Sequence, residues 1–377
     1  MSLEDIRTQI DEIDKQLVEL LKARMNCSLS VAKEKREQNL PIHHPEREQA
    51  IIDKVMLEGG EFGSYISSVY REIMGVSKEA QQAELTPIGE LASRIVGAKD
   101  GIRENVAVAC QGIEGAFGSI ATHHLHKTGN VKHYSTFEDV FKAVQNDEAV
   151  YGVVPVENSN AGSVTEVYDL ILKYRFYIVS AAELAVNENL LGIPGTDVND
   201  IKKVYSHPQA LAQSDEFIKT HGIEPAPYSN TALAVKYVSE LGDKSVGAIG
   251  SVLAANLYGL DVIASNIQSI KNNSTRFITI SKQLIIPPKA NKVSVVFSVP
   301  HIVGALNRVL NRFCENGLNL TKIESRAAKN GRFDYLFYLD FAGNLNDRKT
   351  IALISSLADE LPDFTFLGNY REISIKE

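Results

Sequence analysis

The chain reads as a multidomain protein in three parts. They are an all-α helical domain, an α/β region, and an α+β tail in the ferredoxin-like order βαββαβ. Three observations predict this. An apolar stripe at helical spacing runs through the first 37 residues. Short apolar, strand-like runs alternate with helical segments between residues 106 and 280. Beyond Pro287-Pro288-Lys289 the pattern becomes strand, helix, strand, strand, helix, strand. A length of 377 residues fits two or three cores better than one.

In the first part the apolar positions are Leu3, Ile6, Ile10, Ile13, Leu17 and Leu20, in alternating steps of three and four. That is a heptad-like stripe on one long helix. The next stripe position is Arg24. A buried guanidinium without an anion is costly, so Arg24 either reaches water or faces a bound anion. Lys35 lies eleven residues on and returns to within about 20° of the same face. Two cations on one inward stripe suggest a small anionic ligand inside a helical bundle. Arg7 and Arg24 are about 25 Å apart along a straight helix. Arg7 can therefore reach the same ligand only from a second, antiparallel copy. Gln38 to Pro41 should end this helix. A second helix is expected over 45–57, with Pro45 in its first turn. A third is expected over 64–84, and a linker from there to about residue 105.

Strands are expected at 106–110, 151–156, 176–179, 203–205, 245–249 and 277–280. Their alternation with helices argues for parallel α/β lobes. In the tail, strands are expected at 292–299, 319–326, 335–341 and from 365, with helices at 303–315 and 347–361.

Hydrophobic content of 44% and charged content of 23% are ordinary for a globular protein. A net charge of −8 disfavours nucleic acid as a partner, so any cationic site must be local. Cys27, Cys110 and Cys314 are few and in no metal-ligand spacing, as expected in a reducing cytoplasm. The acidic, amphipathic N-terminus is unlike a signal peptide, and no run of about 18 apolar residues suggests a membrane span. The glycines from Gly112 to Gly118 do not form a dinucleotide fingerprint. The expectation is a cytoplasmic protein without metal or organic cofactor.

Three polar loops follow or precede predicted strands. Glu157-Asn158-Ser159 follows a buried strand, where α/β folds bind ligands. Asn273-Ser274-Thr275-Arg276-Phe277 offers amide, hydroxyl and guanidinium within five residues. Ser206-His207-Pro208-Gln209 is the third, and His207 could equally cap the helix after it.

Taken together, these residues carry family resemblances. Ile6-Arg7, Asp11 to Asp14, Leu20-Leu21, Arg24, Lys35, Pro45, Arg47-Glu48, Ser77 and Gln81-Gln82 resemble the helical chorismate mutases over about the first 85 residues (domain 1–92). The resemblance implies a domain-swapped helical dimer that rearranges chorismate to prephenate. By that likeness Arg24 and Arg47 pair with substrate carboxylates, and Arg7 reaches in from the partner chain. Lys35 and Gln81 donate to the ether oxygen, Glu48 holds a hydroxyl and Ser77 lies near a carboxylate. Donors fixed at the ether oxygen lower the barrier because that atom gains charge in the transition state. Family members carry an acid four residues before the Glu48 position, where this chain has His44.

The polar loops resemble prephenate dehydratase (domain 104–284). The resemblance implies two lobes like those of a periplasmic binding protein, with prephenate in the cleft. Thr275 would be the donor to the departing hydroxyl, and Arg276 would hold a carboxylate bidentately. Glu157, Asn158 and Gln209 would orient the substrate, with Glu157 a second candidate for the acid. The tail (291–377) resembles ACT domains through Gly304-Ala305-Leu306 and Asn319-Leu320 to Glu324-Ser325-Arg326, although Ala327 stands where the family has proline. That likeness implies a phenylalanine effector bound between paired domains, in a homodimer or tetramer. Two other readings stay open: a dehydratase whose helical part only dimerises, and a non-enzymatic amino-acid sensor.

Overall fold

The computed structural model describes residues 2–38, 45–85, 90–327 and 335–375. They form two compact units, Met1–Val96 with Asn346–Pro362, and Gly97–Leu345 with Asp363–Glu377.

The first unit is helical: α1 (Leu3–Glu37), α2 (Pro45–Glu58), α3 (Gly63–Leu85) and α4 (Glu90–Val96), with α13 (Arg348–Glu360) packed on α3 and α4. The hydroxyl of Ser2 accepts from Asp5 N at 3.2 Å and starts α1. α3 packs against both α1 and α2, burying Ala32, Ile52, Val55 and Met74. A Cβ on Gly63 would fall 2.1 Å from the Met56 carbonyl, so only glycine allows α2 to turn so closely into α3. The expected linker contains a helix instead: α4 buries Ala92 and Ile95, giving this stretch an apolar reason to coil. The α1 stripe is open: Leu3 is 66% exposed, Ile13 55% and Leu20 67%.

The second unit begins with a lobe made of β1 (Ala107–Gln111), α5 (Phe117–Leu125), β2 (Asn130–Tyr134), α6 (Phe137–Gln145), β3 (Tyr151–Asn158), β4 (Gly162–Ser163), α7 (Thr165–Tyr174) and β5 (Tyr177–Ala185). The chain then crosses to a second lobe. This holds β6 (Asn189–Gly192), β7 (Lys203–Ser206), α8 (Pro208–Gln213), α9 (Asp215–Thr220), β8 (Glu224–Pro227), α10 (Thr231–Leu241), β9 (Val246–Gly250), α11 (Val252–Tyr258) and β10 (Asp261–Ala264). It returns as β11 (Ser274–Ser281), which inserts between β3 and β5. The sheets are therefore mixed, not parallel throughout as the alternation predicts. β11 arrives from the opposite lobe and runs antiparallel to both neighbours. In the second lobe β6 and β10 likewise run antiparallel beside parallel β7, β8 and β9.

The tail gives β12 (Lys292–Ser298), α12 (Ala305–Glu315), β13 (Leu320–Ala327), β14 (Tyr335–Ala342), then α13 and β15 (Thr365–Ile375). Its strands lie in the order β13-β14-β12-β15, each antiparallel to its neighbour. The second half of β15 then pairs in parallel with β5, so the tail's sheet is continuous with the first lobe's. A Cβ on Gly368 would lie 2.1 Å from the Ile178 carbonyl, so this closeness requires glycine.

Candidate active sites

In the helical unit, Arg24 on α1 reaches α3. Arg24 Nη1 donates to Ser77 Oγ at 2.5 Å, and Ser77 donates in turn to the Ile73 carbonyl at 2.7 Å. Ser77 is buried, Gln81 one turn further along α3 is also buried, and Arg24 and Lys35 are half-buried. Arg24 and Ser77 thus form a polar contact between α1 and α3. Glu48 on α2 pairs with Lys78 on α3 at 3.1 Å. Lys78 is a partner the sequence reading did not single out, although it follows Ser77 directly. Arg47 and Arg7 are exposed, and Arg7 lies in the half of α1 with the bare stripe. His44 falls outside the described residues.

The two lobes of the second unit meet where their strands end. Ser251 Oγ donates to the Gly115 carbonyl at 3.2 Å, and Tyr258 Oη to the Glu114 carbonyl at 3.0 Å, so the β1–α5 loop touches α11. A Cβ on Gly112 would stand 3.6 Å from the Asn230 amide at the start of α10. Ser251 and Asn230 also cap α11 and α10. Both caps are legible in the sequence as a polar residue before an apolar helical run. His207 caps α8, its Nδ1 accepting from Gln209 N at 3.2 Å, while the Gln209 side chain is exposed. Burial holds the His207 imidazole below its usual pKa.

The catalytic candidates on β3 and β11 separate by strand alternation. Thr275 lies opposite Asn158 and Arg276 opposite Glu157, so the two pairs point to opposite faces of the sheet. On one face Asn158 is 8% exposed and fully used. Its Nδ2 donates to Thr275 Oγ1 and Asn273 Oδ1, each at 2.9 Å, and its Oδ1 accepts from the amides of Asn160 and Ala161. Asn273 continues the chain to Gln213 Oε1 on α8 at 3.1 Å, joining the lobes. Asn273 belongs to the motif, but its bridging role needs the two-lobed arrangement to be seen.

The other face meets the C-terminal strands. Arg276 Nη1 lies 2.5 Å from Asp340 Oδ2, Nη2 donates to Tyr370 Oη at 2.5 Å, and Nε lies 2.6 Å from Glu372 Oε1. The side chain is 11% exposed. Burial works against its charge, but Tyr370, Asp340 and Glu372 outweigh that and raise its pKa further. Glu157 lies 3.1 Å from Lys322 Nζ and 3.8 Å from Arg276. Arg276 and Glu157 thus lie on the face of the sheet opposite to Thr275 and Asn158, because adjacent strand residues face opposite sides.

The expected effector residues also divide. Gly304 adopts φ 75° and begins α12, Ala305 is buried and Leu306 half-buried. The Asn319 carbonyl accepts from Ala342 N at 2.8 Å, and Leu320 opens β13. Glu324 accepts from Ser163, and Arg326 reaches Asp169 at 3.3 Å and the Thr165 carbonyl at 3.0 Å. Both therefore contact the first lobe. Ser325, between them, is exposed, as is Ala327. Among the described residues no cluster of His, Cys, Asp or Glu could hold a metal, and no helix is long and apolar enough to cross a membrane.

Two polar clusters lie on two differently built units, the arrangement of an enzyme with two activities. Residues 6–82 match the chorismate mutase type II family, and residues 108–285 match the prephenate dehydratase family. The bifunctional chorismate mutase/prephenate dehydratase of Aquifex aeolicus is 31% identical over all of this chain and 99% of its own length. A prephenate dehydratase from Arthrobacter aurescens, solved in complex with L-Phe, aligns at TM-score 0.63 and 29% identity, covering 71% of this chain and 90% of that one. A quorum-quenching acylase aligns at TM-score 0.63 and 29% identity, over 70% of this chain and 97% of its own. The chain belongs to the bifunctional chorismate mutase/prephenate dehydratase family.

Proposed function

We infer that the chain converts chorismate to prephenate in the helical unit and prephenate to phenylpyruvate between the two lobes. The observation that carries the reading is the pair of polar clusters, Arg24–Ser77 with Lys35 and Gln81, and Asn158–Thr275 with Asn273.

In the mutase step no group is transferred, so the protein's work is to fold the substrate and stabilise charge. Arg24 and Arg47 hold the carboxylates. Lys35 and Gln81 donate to the ether oxygen as its bond breaks. Glu48, already beside Lys78, offers an acceptor to the ring hydroxyl. Arg7 comes from a second copy whose α1 covers the bare stripe, which supports a homodimer.

In the dehydratase step the ring carboxylate leaves as carbon dioxide. Its bonding electrons move through the ring and expel the hydroxyl, which departs as water after gaining a proton. Thr275 Oγ1 accepts from Asn158, so its own proton points elsewhere and is available to the leaving hydroxyl. Asn158 fixes that rotamer. Gln209, exposed at the start of α8, reaches the substrate from the other lobe.

The antiparallel four-stranded tail is read as an ACT domain that binds phenylalanine and inhibits the dehydratase. Gly304 at the start of α12 and the edge strand β13 support this, as does the relative solved with L-Phe. The test is direct. Purified protein given chorismate is expected to form phenylpyruvate, and millimolar phenylalanine to slow it. Prephenate accumulating without phenylpyruvate would refute the dehydratase assignment. Unchanged chorismate would refute the mutase.

A further inference from the structure

The reverse side of the catalytic strand pair holds a buried ionic cluster that the two reactions do not use. Its centre is Arg276, immediately after Thr275 in β11. Its acids come from the C-terminal strands, Asp340 on β14 and Glu372 on β15. Asp340 and Arg276 are 9% and 11% exposed. The cluster is closed on its far side: Ser294 donates to Asp340 at 2.5 Å and lies 2.7 Å from Tyr370 Oη, and Lys292 pairs with Glu372. Glu157, the cross-strand partner of Arg276, is bound to a third strand of the tail, β13, through Lys322. Arg276 Nε and Glu372 Oε1 are both buried, face each other as an ion pair at 2.6 Å and make no hydrogen bond. A charge buried this deeply is costly unless its geometry is held, so the cluster constrains where the guanidinium can stand.

That constraint reaches the reaction through one peptide unit. Thr275 and Arg276 are consecutive on an extended strand, so a shift or twist at one displaces the other. Transition-state contacts tolerate displacements well below 1 Å.

We propose that Arg276 is a positioning residue for dehydration: anchored by Asp340 and Glu372, it fixes β11 so that Thr275 meets Asn158 and the leaving hydroxyl, and the C-terminal strands thereby set the dehydratase rate. The inference rests on the assignment of Thr275 as donor. That assignment is tested separately by Thr275→Val, so the two can fail independently.

The experiment compares Asp340→Asn, Glu372→Gln, Arg276→Lys and Arg276→Met in the full-length chain, measuring kcat and KM on prephenate and the chorismate mutase rate. Asp340→Asn and Glu372→Gln are expected to lower dehydratase kcat by about 10-fold to 100-fold. KM is expected to stay within about two-fold and the mutase rate to be unchanged. Arg276→Lys, which keeps the charge, is expected to retain more kcat than Arg276→Met. A general folding defect would lower the mutase rate or the melting temperature alongside. The inference is overturned if Asp340→Asn and Glu372→Gln leave kcat unaltered, if the Arg276 variants raise KM alone, as loss of a substrate-binding group would, or if dehydratase loss is matched by loss of folded protein.

Discussion

The helical unit and the two lobes dispose of their apolar surface in opposite ways. The lobes close their cores within one chain: Val140, Phe141, Val144, Ala181 and Ile278 are fully buried around β3, β5 and β11. The helical unit leaves Leu3, Ile6, Ile10, Ile13 and Leu17 between 41% and 66% exposed along one side of α1. Single exposed apolar side chains are ordinary but a continuous row is not, and such a row is the kind of surface a partner covers. The contrast teaches that the first lobe buries its apolar surface within one chain while α1 leaves a face for a partner, in line with the proposal that Arg7 acts from a second copy.

The sharpest way to separate the two centres is to break one at a time. Thr275→Val keeps the shape and removes the hydroxyl. It is expected to cut phenylpyruvate formation by about 10² to 10⁴ while leaving prephenate formation from chorismate intact, read by following both products. Lys35→Ala is expected to cut prephenate formation by about 10² to 10³ while added prephenate is still dehydrated at the normal rate. Near-normal chorismate turnover in that variant would remove Lys35 from the site.

The stripe itself is tested by Ile10→Asp combined with Leu17→Asp. Carboxylates at both positions are expected to lower the molecular mass in solution and to depress the mutase rate at low protein concentration. The dehydratase on the same chain should lose far less. Equal losses in both activities would contradict the contrast drawn between the units.

The smallest effect belongs to the first lobe. Burial depresses the pKa of His126 from 6.5 to about 4, and its ring lies 3.1 Å from Thr279 Oγ1. The folded lobe holds it neutral, so the unfolded chain binds the proton more readily. Its contribution to stability is complete above about pH 6.5 and is lost as the pH falls toward 4. The expected loss is up to about 3 kcal/mol. Denaturant midpoints measured across that range should fall on acidification, and His126→Gln should flatten the slope.

Much of this was legible in the sequence. The heptad stripe gave α1 and the position of Arg24, and the tail's order gave its strands. The residues 207–209 were readable as a cap as well as a site, and the cap is what His207 forms. The misses share a cause. β8 carries two prolines in four residues and reads as loop by local propensity, yet pairs with β7 at the sheet's edge, where proline is tolerated. β11 looks like any buried strand, so nothing local says that it runs antiparallel. Thr275 and Arg276 read as one cluster because they are neighbours, whereas a strand sends neighbours to opposite faces.

The α1 stripe, the strand–helix alternation and the order of the tail were legible in the sequence alone because periodicity is a local property, and the reactions were legible only through the family resemblance its motifs carry. Only the tertiary structure decided how the polar residues are shared out. Asn158 and Thr275 join Asn273 at the lobe seam, while Glu157 and Arg276 bind the C-terminal strands. That division depends on strand register and on contacts between residues more than 60 positions apart, and no spacing along the chain encodes it.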